Sequence, residues 1–529
     1  MVIITVPALA AATAVGTASG LIYKRGEKKD DQEEDSSETA SFQTDEPASI
    51  TPSESRGPLR VMFLSADAGG GHKASAAALT KQFEILYPGS ICSSFHLEEI
   101  LPDTFPYSDI ATSYKTLTSN PNMWRTVYHV SNAKPFQKVM DWHCLKYCEG
   151  PFLKLVVDFN PDVIVSVHPN LNLVPCAAAK KVGNLMGKKI PFFTVVTDLG
   201  SGHDGWFQKD VDKLYLASKK IYDLCLRRGK TPKDRIKLTG LPIRHEFALV
   251  AEMRKVHQPK VFKKIIKTDL DLDSSKPMLL VMGGGEGVGS LKQIVTELYL
   301  SLFENSVDAT ICVICAKNQE LKKEFENMNW DQVLSKRKYT SLQCVSPALN
   351  LLQNKSTSAV SNVEEENKAE ARASQEGVTV IPLGFVTRMA EYMAAAEVLI
   401  TKAGPGTIAE AASMGLPVLL TDFLPGQEAG NVGVVLEQGF GEYHKRPVDI
   451  AKNVTKWLQD PETYLKKMSE NALAVGQPEA GKEIVLDIGS LTHAWLERNK
   501  EEEANRDSED YGNTTTSYEE EKKSDEIPS

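Results

Sequence analysis

The chain has 529 residues, of which 42% are hydrophobic and 25% are charged, the balance of a globular protein that can bury a large core. At about 100–200 residues per domain, this length predicts two or three domains. The net charge of −10 argues against general nucleic-acid binding, and eight cysteines are too few for a disulfide scaffold. The cysteines also lack the paired spacing of a structural zinc site, so no metal is predicted.

The negative charge is concentrated in two polar segments. Residues 30–57 carry nine acidic side chains against one basic, and residues 500–529 carry eleven against four. Segments of this composition cannot bury a core. We therefore expect a disordered linker at 24–57 and a disordered tail at 500–529, with a nearly neutral body between them.

The first 23 residues contain no charged side chain and are followed by Lys24 and Arg25. About 20 apolar residues can span a bilayer, and basic residues after the span would keep the rest of the chain on the cytosolic side. A cleavable signal peptide usually begins with basic residues, which this segment lacks. A signal-anchor is favoured, and a cleaved targeting peptide and an unstructured end stay open.

Apolar runs of strand length alternate with stretches of helical periodicity from residue 58 onwards. The predicted strands of the first half lie at 59–64, 163–167, 192–196 and 214–217. Those of the second half lie at 278–282, 310–314, 378–381, 397–400 and 417–420. Strands and helices in alternation are typical of βαβ units and parallel sheets.

This alternation predicts an α/β protein of two doubly wound, Rossmann-like domains. Ligands bind beyond the carboxyl ends of the strands in such sheets, so both domains can face one cleft. The first domain is expected at 58–245 and the second at 246–475, with a polar surface insertion at 354–377. A last helix at 476–499 is expected to return to the first domain.

Three glycine-rich turns follow predicted strands, at 65–72, 283–289 and 401–407. Glycine lets backbone N–H groups approach an oxyanion closely, and the N-terminus of a following helix favours negative charge. None of the turns matches the phosphate loop of NTPases or completes the dinucleotide pattern G-x-G-x-x-G. Their recurrence predicts a diphosphate-type ligand.

Acidic and amide side chains accompany the third turn. Glu410 lies one turn into the helix that follows it and can accept two hydrogen bonds from a ribose diol; alternatively it only complements the helix dipole. Gln427 and Glu428 suit sugar hydroxyls, because amide and carboxylate groups provide directional donors and acceptors. Together these residues predict a nucleotide-sugar site.

Nine motifs resemble those of the monogalactosyldiacylglycerol synthase family over about residues 58–475. In chain order they are Asp67-Ala-Gly-Gly-Gly-His-Lys-Ala-Ser75, Ser166-Val-His-Pro169, Thr197-Asp-Leu199, Trp206-Phe207, Gly240-Leu-Pro-Ile-Arg244, Met282-Gly-Gly-Gly-Glu-Gly287, Gly384-Phe-Val-Thr-Arg-Met389, Thr401-Lys-Ala-Gly-Pro-Gly-Thr-Ile-Ala-Glu410, and Pro425-Gly-Gln-Glu428 with Gly430-Asn431. The resemblance implies the two-domain GT-B fold, which the family shares with the bacterial peptidoglycan N-acetylglucosaminyltransferase. It also implies metal-independent, inverting transfer of galactose from UDP-galactose to diacylglycerol.

His72 is the candidate catalytic base, because it follows the first glycine turn and an ordinary pKa of about 6.5 suits proton transfer near neutrality. The alternative is a structural histidine that caps the turn. Asp67 would orient His72 or replace it as the base, and Asp198 at a strand end is a further candidate.

The resemblance places the donor mostly in the second domain. The expected donor-binding residues are Gly283, Gly284, Gly285 and Gly287 at the diphosphate, Phe385 and Val386 at the uracil, Lys402, Gly404 and Pro405 near the phosphates, Glu410 at the ribose, and Gln427, Glu428 and Asn431 at the galactose.

The acceptor is a lipid, so the first domain should contact a membrane. Aromatic and basic residues interleave between residues 102 and 150, which suits an anionic lipid surface, although a partly buried helical region explains the same pattern. The expected acceptor or lipid residues are Gly70, Gly71, Trp124, Arg125, His168, His203 and Trp206. The resemblance further implies an anionic phospholipid activator and a plastid (chloroplast) membrane location. The oligomeric state stays open, with a homodimer as one alternative.

Two alternative functions stay open. One is a related transferase that uses UDP-glucose or UDP-N-acetylglucosamine, which the residues around Gln427 would decide. The other is a nucleotide-sugar- or lipid-binding protein that has lost catalysis. Chemically competent residues at His72, Glu410 and Gln427 favour an enzyme.

Overall fold

The computed structural model describes residues 57–66, 71–101, 116–117, 120–283, 291–345 and 377–524. The predicted N-terminal anchor, nearly all of the acidic linker and the polar insertion lie outside these ranges. Within the described ranges, no helix is both long enough and apolar enough to cross a bilayer.

The described part of the first half contains a six-stranded parallel sheet with the order β2-β1-β3-β4-β5-β6. Its strands are β1 (Arg60–Ser65), β2 (Ile91–His96), β3 (Val163–Ser166), β4 (Phe192–Val195), β5 (Lys213–Leu216) and β6 (Ile236–Leu238). The helices are α1 (Gly71–Leu86), α2 (Leu97–Ile100), α3 (Pro121–Ser131), α4 (Lys134–Tyr147), α5 (Glu149–Phe159), α6 (Leu173–Met186) and α7 (Lys219–Arg228). The strand order reverses between β1 and β3, which marks the ligand-binding crevice of a doubly wound sheet.

The second half, as far as it is described, contains another six-stranded parallel sheet, with the order β12-β11-β10-β7-β8-β9. Its strands are β7 (Met278–Met282), β8 (Ala309–Ile314), β9 (Val378–Leu383), β10 (Val398–Thr401), β11 (Val418–Leu420) and β12 (Gly441–Tyr443). The helices are α8 (His245–Lys255), α9 (Pro259–Asp269), α10 (Leu291–Glu304), α11 (Gln319–Glu326), α12 (Trp330–Val345), α13 (Met389–Ala395), α14 (Pro405–Ser413), α15 (Ala429–Glu437), α16 (Pro447–Gln459), α17 (Leu465–Val475) and α18 (Ala480–Ser524). Here the order reverses between β7 and β10.

Each sheet is buried on both faces, which is why its central strands are continuous apolar runs. In β1, Met62 and Leu64 pack in one core cluster, whereas Val61 and Phe63 pack in another on the opposite face. This division follows from the alternation of side chains along a strand.

Helix α18 returns to the first half, where Ile484, Val485 and Ile488 share a core cluster with Phe63 and Phe83. The helix therefore completes the layer that covers one face of the first sheet.

The same helix corrects the prediction of a disordered tail, because it continues past residue 500 to Ser524. Asn499 exchanges two hydrogen bonds with the backbone of Lys189 (2.8 and 3.0 Å), and Arg506 donates to the Gly187 carbonyl (2.6 Å). Glu, Lys, Arg and Ala also have high helix propensity, so these residues extend the helix once its first part is packed.

Candidate active site

Most of the predicted site residues that are described follow the carboxyl ends of strands at the two crevices. In the first half, β1 is followed by His72 at the start of α1, β3 by His168 and β4 by Asp198. In the second half, β7 is followed by Gly283 and β10 by Lys402. The chain therefore brings side chains from both halves to one cleft.

Hydrogen bonds cross this cleft directly. The Gly200 amide, two residues after Asp198, donates to the side-chain oxygen of Asn431 over 3.0 Å. Lys220 of α7 pairs with Glu437 of α15 at 2.6 Å. The two halves are thus in direct contact across the cleft.

A backbone carbonyl determines which ring nitrogen of His72 carries the proton. Its Nδ1 lies 2.8 Å from the Val167 carbonyl oxygen, and the Thr197 hydroxyl lies 2.9 Å from the same nitrogen. A carbonyl only accepts hydrogen bonds, so Nδ1 carries the proton and Nε2 keeps its lone pair. Burial lowers the pKa of His72 to about 4, so the ring is neutral at pH 7 and Nε2 can act as a base.

The ring of His168 packs edge-on against His72, with 4.7 Å between ring centroids. Its Nδ1 accepts from the Asn170 amide over 3.3 Å, so Nε2 carries the proton. Burial holds the pKa of His168 well below its usual range, and His72 adds to the effect. The two histidines therefore meet as neutral rings.

Asp198 is buried beside this pair and accepts a hydrogen bond from the indole nitrogen of Trp206 (2.7 Å). Burial raises the pKa of Asp198 to about 7, and the nearby Glu428 carboxylate acts in the same direction, whereas the Trp206 hydrogen bond opposes it. Asp198 is therefore in the cleft, as predicted, but it is held by Trp206.

His203 lies on the same side of the cleft, against the C-terminal end of helix α3. Its Nδ1 accepts from the Gly205 amide (3.1 Å), and its Nε2 lies 3.3 Å from the Ser131 hydroxyl. Burial keeps the pKa of His203 well below its usual range. The neighbouring Asp204 is neutralised by ion pairs with Arg228 (3.2 Å) and Lys230.

Glu410 in α14 forms a bidentate ion pair with Arg244, whose Nε and Nη2 donate to the two carboxylate oxygens at 2.8 and 2.9 Å. Burial raises the pKa of Glu410, and the Arg244 guanidinium opposes this shift. A carboxylate has about four lone-pair positions, so each Glu410 oxygen keeps one acceptor position beyond its bond to Arg244. Arg244 was in a recognised motif, but the sequence prediction did not place it in the site.

Glu428 is similarly engaged: one oxygen pairs with Lys402 at 3.1 Å and the other accepts from the Leu424 amide at 2.8 Å. Lys402 therefore lies beside the predicted sugar residues. Gln427 is half-buried, and its backbone carbonyl accepts a hydrogen bond from the Ser201 hydroxyl.

Asn431 requires a correction. Its side chain is only 1% exposed, and its amide donates to the Ala403 carbonyl (3.0 Å) while accepting from Gly200. Both ends of the amide are thus used within the protein, so Asn431 joins the halves and does not read a sugar hydroxyl.

The phosphate-side residues of the second half lie at helix and strand ends. Gly404 caps α14 and Pro405 is its first residue. Proline has no N–H and the Gly404 N–H donates to the Lys402 carbonyl (2.8 Å), so the N–H groups that this helix can offer are those of Gly406 and Thr407. The Phe385 ring after β9 is 74% exposed, and Val386 packs partly against the core.

Two tryptophans predicted at the lipid surface are buried instead. Trp124 packs with Leu117 and Val127 in a small core cluster, and Trp206 belongs to a main core cluster of the first half. Neither indole can contact a bilayer directly. Arg125 is exposed, and Gly71 opens α1 with free space around it.

The other predicted residues, Asp67, Gly70, Gly284, Gly285 and Gly287, lie outside the described ranges. Within those ranges no three His, Cys, Asp or Glu side chains are grouped to hold a metal ion. The sequence contains three Asp-x-Asp stretches, at 210–212, 269–271 and 271–273, and all precede β5 or β7, at the strand ends away from the cleft. Asp212 precedes β5 and pairs with Lys189, and Asp269 pairs with Arg388.

Comparison with known proteins identifies the family. Residues 72–243 match the family model described as monogalactosyldiacylglycerol (MGDG) synthase, and residues 339–484 match the glycosyltransferase family 28 C-terminal domain. A soybean (Glycine max) protein named probable monogalactosyldiacylglycerol synthase, chloroplastic, is 33% identical over 442 residues, which are 83% of this chain and 72% of that protein. The spinach (Spinacia oleracea) monogalactosyldiacylglycerol synthase is 31% identical over 442 residues, 83% of this chain and 73% of that one.

Among solved structures, that of Acinetobacter baumannii MurG matches with a TM-score of 0.47 and 15% identity, covering 82% of this chain and 100% of that one. The two doubly wound parallel sheets confirm the predicted GT-B class. The similarity to the soybean protein spans both halves of the molecule. The chain therefore belongs to the monogalactosyldiacylglycerol synthase family.

Proposed function

We propose that this enzyme transfers galactose from UDP-galactose to the free hydroxyl of 1,2-diacylglycerol, with inversion at the anomeric carbon and without a metal ion. Family membership supports the broader statement that the chain is a glycosyltransferase of galactolipid synthesis. The observation on which the mechanism depends is the orientation of His72, whose Nδ1 is held by the Val167 carbonyl.

Inverting transfer is a single in-line displacement. Nε2 of His72 takes the proton of the acceptor hydroxyl while the hydroxyl oxygen forms a bond to the anomeric carbon. The bond from that carbon to the β-phosphate oxygen breaks, and UDP leaves with the electron pair. The neutral state of His72 at pH 7 suits this role, and the charge of a bound diphosphate would raise its pKa toward neutrality.

The leaving diphosphate needs positive potential. The first turn of α14 offers the N–H groups of Gly406 and Thr407, which follow Pro405. Lys402 provides a cation, and Gly283 directly follows β7. Preorganised dipoles of this kind stabilise developing charge without a metal ion. Glu410 would bind the ribose, with Arg244 holding its carboxylate.

We further propose that α4 contacts the membrane. Val139 and Trp142 are 62% and 60% exposed, and Tyr147 is 50% exposed. The Lys146 ammonium lies 5.3 Å from the ring centroids of both Trp142 and Tyr147. Exposed aromatic and apolar side chains beside a cation suit an anionic lipid surface. Because the soybean and spinach relatives are named chloroplastic, the proposed membrane is that of a plastid.

The test is transfer by the purified protein to diacylglycerol vesicles from labelled UDP-galactose or UDP-glucose. Each reaction is run with and without EDTA and with and without phosphatidylglycerol. We expect a β-galactolipid from UDP-galactose alone, in EDTA, with stimulation by phosphatidylglycerol. A glucolipid would overturn the donor, loss in EDTA would overturn metal independence, and UDP binding without transfer would indicate a binding protein.

A further inference from the structure

A segment of the second half, residues 424–430, comprises a loop and the first two residues of α15, and it is held by the first half through contacts that no predicted role explains. We call this segment the sugar loop, because it contains Gln427 and Glu428. Three contacts from the first half reach it, all within a few residues of Asp198 or on the neighbouring helix α3.

The closest contact joins two glycines. A Cβ added at Gly430 would overlap the backbone of Gly200 and lie 2.5 Å from the Ser201 amide nitrogen. A Cβ added at Gly200 would overlap Gly430 in return and lie 2.6 Å from the Asn431 nitrogen. The two backbones therefore touch only because neither residue has a side chain.

The second contact is the ring of Tyr128 in α3. A Cβ on Gly426 would lie 2.8 Å from Tyr128 Cδ1, so the ring packs directly on the glycine backbone. Tyr128 is buried, and its backbone carbonyl accepts hydrogen bonds from the side chains of Ser131 and Asn132, both at 2.9 Å. The ring thus fills the space between α3 and the sugar loop.

The third contact is a hydrogen bond from the Ser201 hydroxyl to the Gln427 carbonyl. Beside it, Leu424 packs on the small core cluster that contains Trp124 and Val127. Both ends of the sugar loop are consequently held by α3 or by residues 200–201.

We propose that Tyr128, Gly200 and Ser201 position the sugar loop over the donor sugar, so that α3, on the acceptor side, couples acceptor binding to donor alignment. Tyr128 is a positioning residue in this scheme, since it acts through Gly426. The inference rests on the proposed function of the loop in binding the sugar of UDP-galactose. It predicts that loosening the contact impairs recognition of the sugar and its alignment while leaving recognition of UDP intact.

Gly430→Ala is the sharpest test. Gly430 lies inside α15, where alanine is the better helix former, so the helix itself should be preserved. The added methyl group forces the loop away from Gly200. Gly433→Ala is the matched control in the same helix, because its added Cβ meets only the ends of two flexible side chains, Lys220 Nζ at 2.7 Å and Glu437 Oε1 at 3.3 Å, and no backbone.

For Gly430→Ala we expect kcat with UDP-galactose to fall about 10- to 100-fold, the scale of a misplacement of about 1 Å. Calorimetry should show unchanged UDP affinity and a smaller preference for UDP-galactose over UDP. Gly433→Ala should match the wild type in all three measurements. A thermal midpoint no lower than that of the control excludes a folding defect. Equal kcat for the two variants would overturn the inference.

Tyr128 is tested by comparing Tyr128→Phe, which keeps the ring on Gly426, with Tyr128→Ala, which removes it. We expect Tyr128→Phe to retain most of kcat and Tyr128→Ala to lose it with UDP affinity unchanged. Equal losses, or none, would overturn the positioning role. If the wild type transfers no galactose, the proposed function fails, but the preference for UDP-galactose over UDP still tests the contact.

Discussion

The two sides of the cleft differ in how they hold their ionisable side chains. The side formed by the first half is the proposed acceptor side, and the side formed by the second half is the proposed donor side. On the acceptor side, His72, His168 and His203 are all held neutral by burial. On the donor side, the charged groups are kept in pairs, Arg244 with Glu410 and Lys402 with Glu428. A side that removes a proton needs an uncharged base in a dry environment, whereas a side that binds a diphosphate can exchange existing ion pairs for ligand contacts.

The largest test of this contrast is His72→Ala. Removing the base should lower kcat about 10²- to 10⁴-fold, because general-base catalysis contributes about that much. UDP affinity should not change, since the proposed donor site lies mainly in the second half. Steady-state kinetics and calorimetry measure the two effects, with the exposed His257→Ala as the control. Retention of full activity would exclude His72 as the base.

The donor side is tested by Glu410→Gln, which keeps the shape but leaves the Arg244 charge without its partner. We expect KM for UDP-galactose to rise about tenfold, which corresponds to about 1.4 kcal/mol. The effect should shrink with a donor analogue that lacks the ribose 2′-hydroxyl. If the variant and the wild type discriminate equally against that analogue, Glu410 does not bind the ribose.

A smaller effect is expected for the proposed membrane contact of α4. Trp142→Ala removes an exposed aromatic from α4, so we expect severalfold weaker binding to vesicles that contain phosphatidylglycerol. Val256→Ala, at a 77% exposed position beside α8, is the matched control. Sedimentation with vesicles measures both. Equal binding of the two variants would remove α4 from the proposed membrane contact.

The smallest expected effect concerns Asp198 and stability. The pKa of this carboxyl is raised to about 7 in the folded protein, so ionisation costs stability as the pH rises from about 4 to 7. Asp198→Asn removes this cost while keeping an oxygen for Trp206. We expect its thermal midpoint to exceed that of the wild type by a few degrees at pH 8 and to match it near pH 4. A constant difference across this pH range would contradict the assignment.

The sequence predicted the central strands well, because strands buried on both faces must be apolar throughout. It missed three of the four edge strands, β2, β6 and β12, whereas the fourth, β9, carries an apolar run and was predicted. In β2, for example, Ile91 is 49% exposed and two serines and a histidine face partly outward. Edge strands pair on one side only and need no apolar run, so their pattern does not differ from that of a loop.

The candidate site was predictable where a residue follows a strand end, as His72 and Asp198 do. It was not predictable where partners lie far apart in the chain. Arg244 and Glu410 are separated by 166 positions, and Tyr128 reaches Gly426 across the cleft. No local pattern encodes such pairs, because they depend on how the two halves meet.

The return of α18 has a practical consequence for dissecting the molecule into fragments. Asp487 of this helix pairs with Lys213 at 2.7 Å and accepts from the Tyr215 hydroxyl at 2.9 Å, both in β5. A fragment that stops at residue 245 would therefore expose the apolar faces of α1 and of the first sheet. Complementation with separately expressed pieces requires residues 480–506 to be supplied with the first half, even though they follow the second half in the sequence.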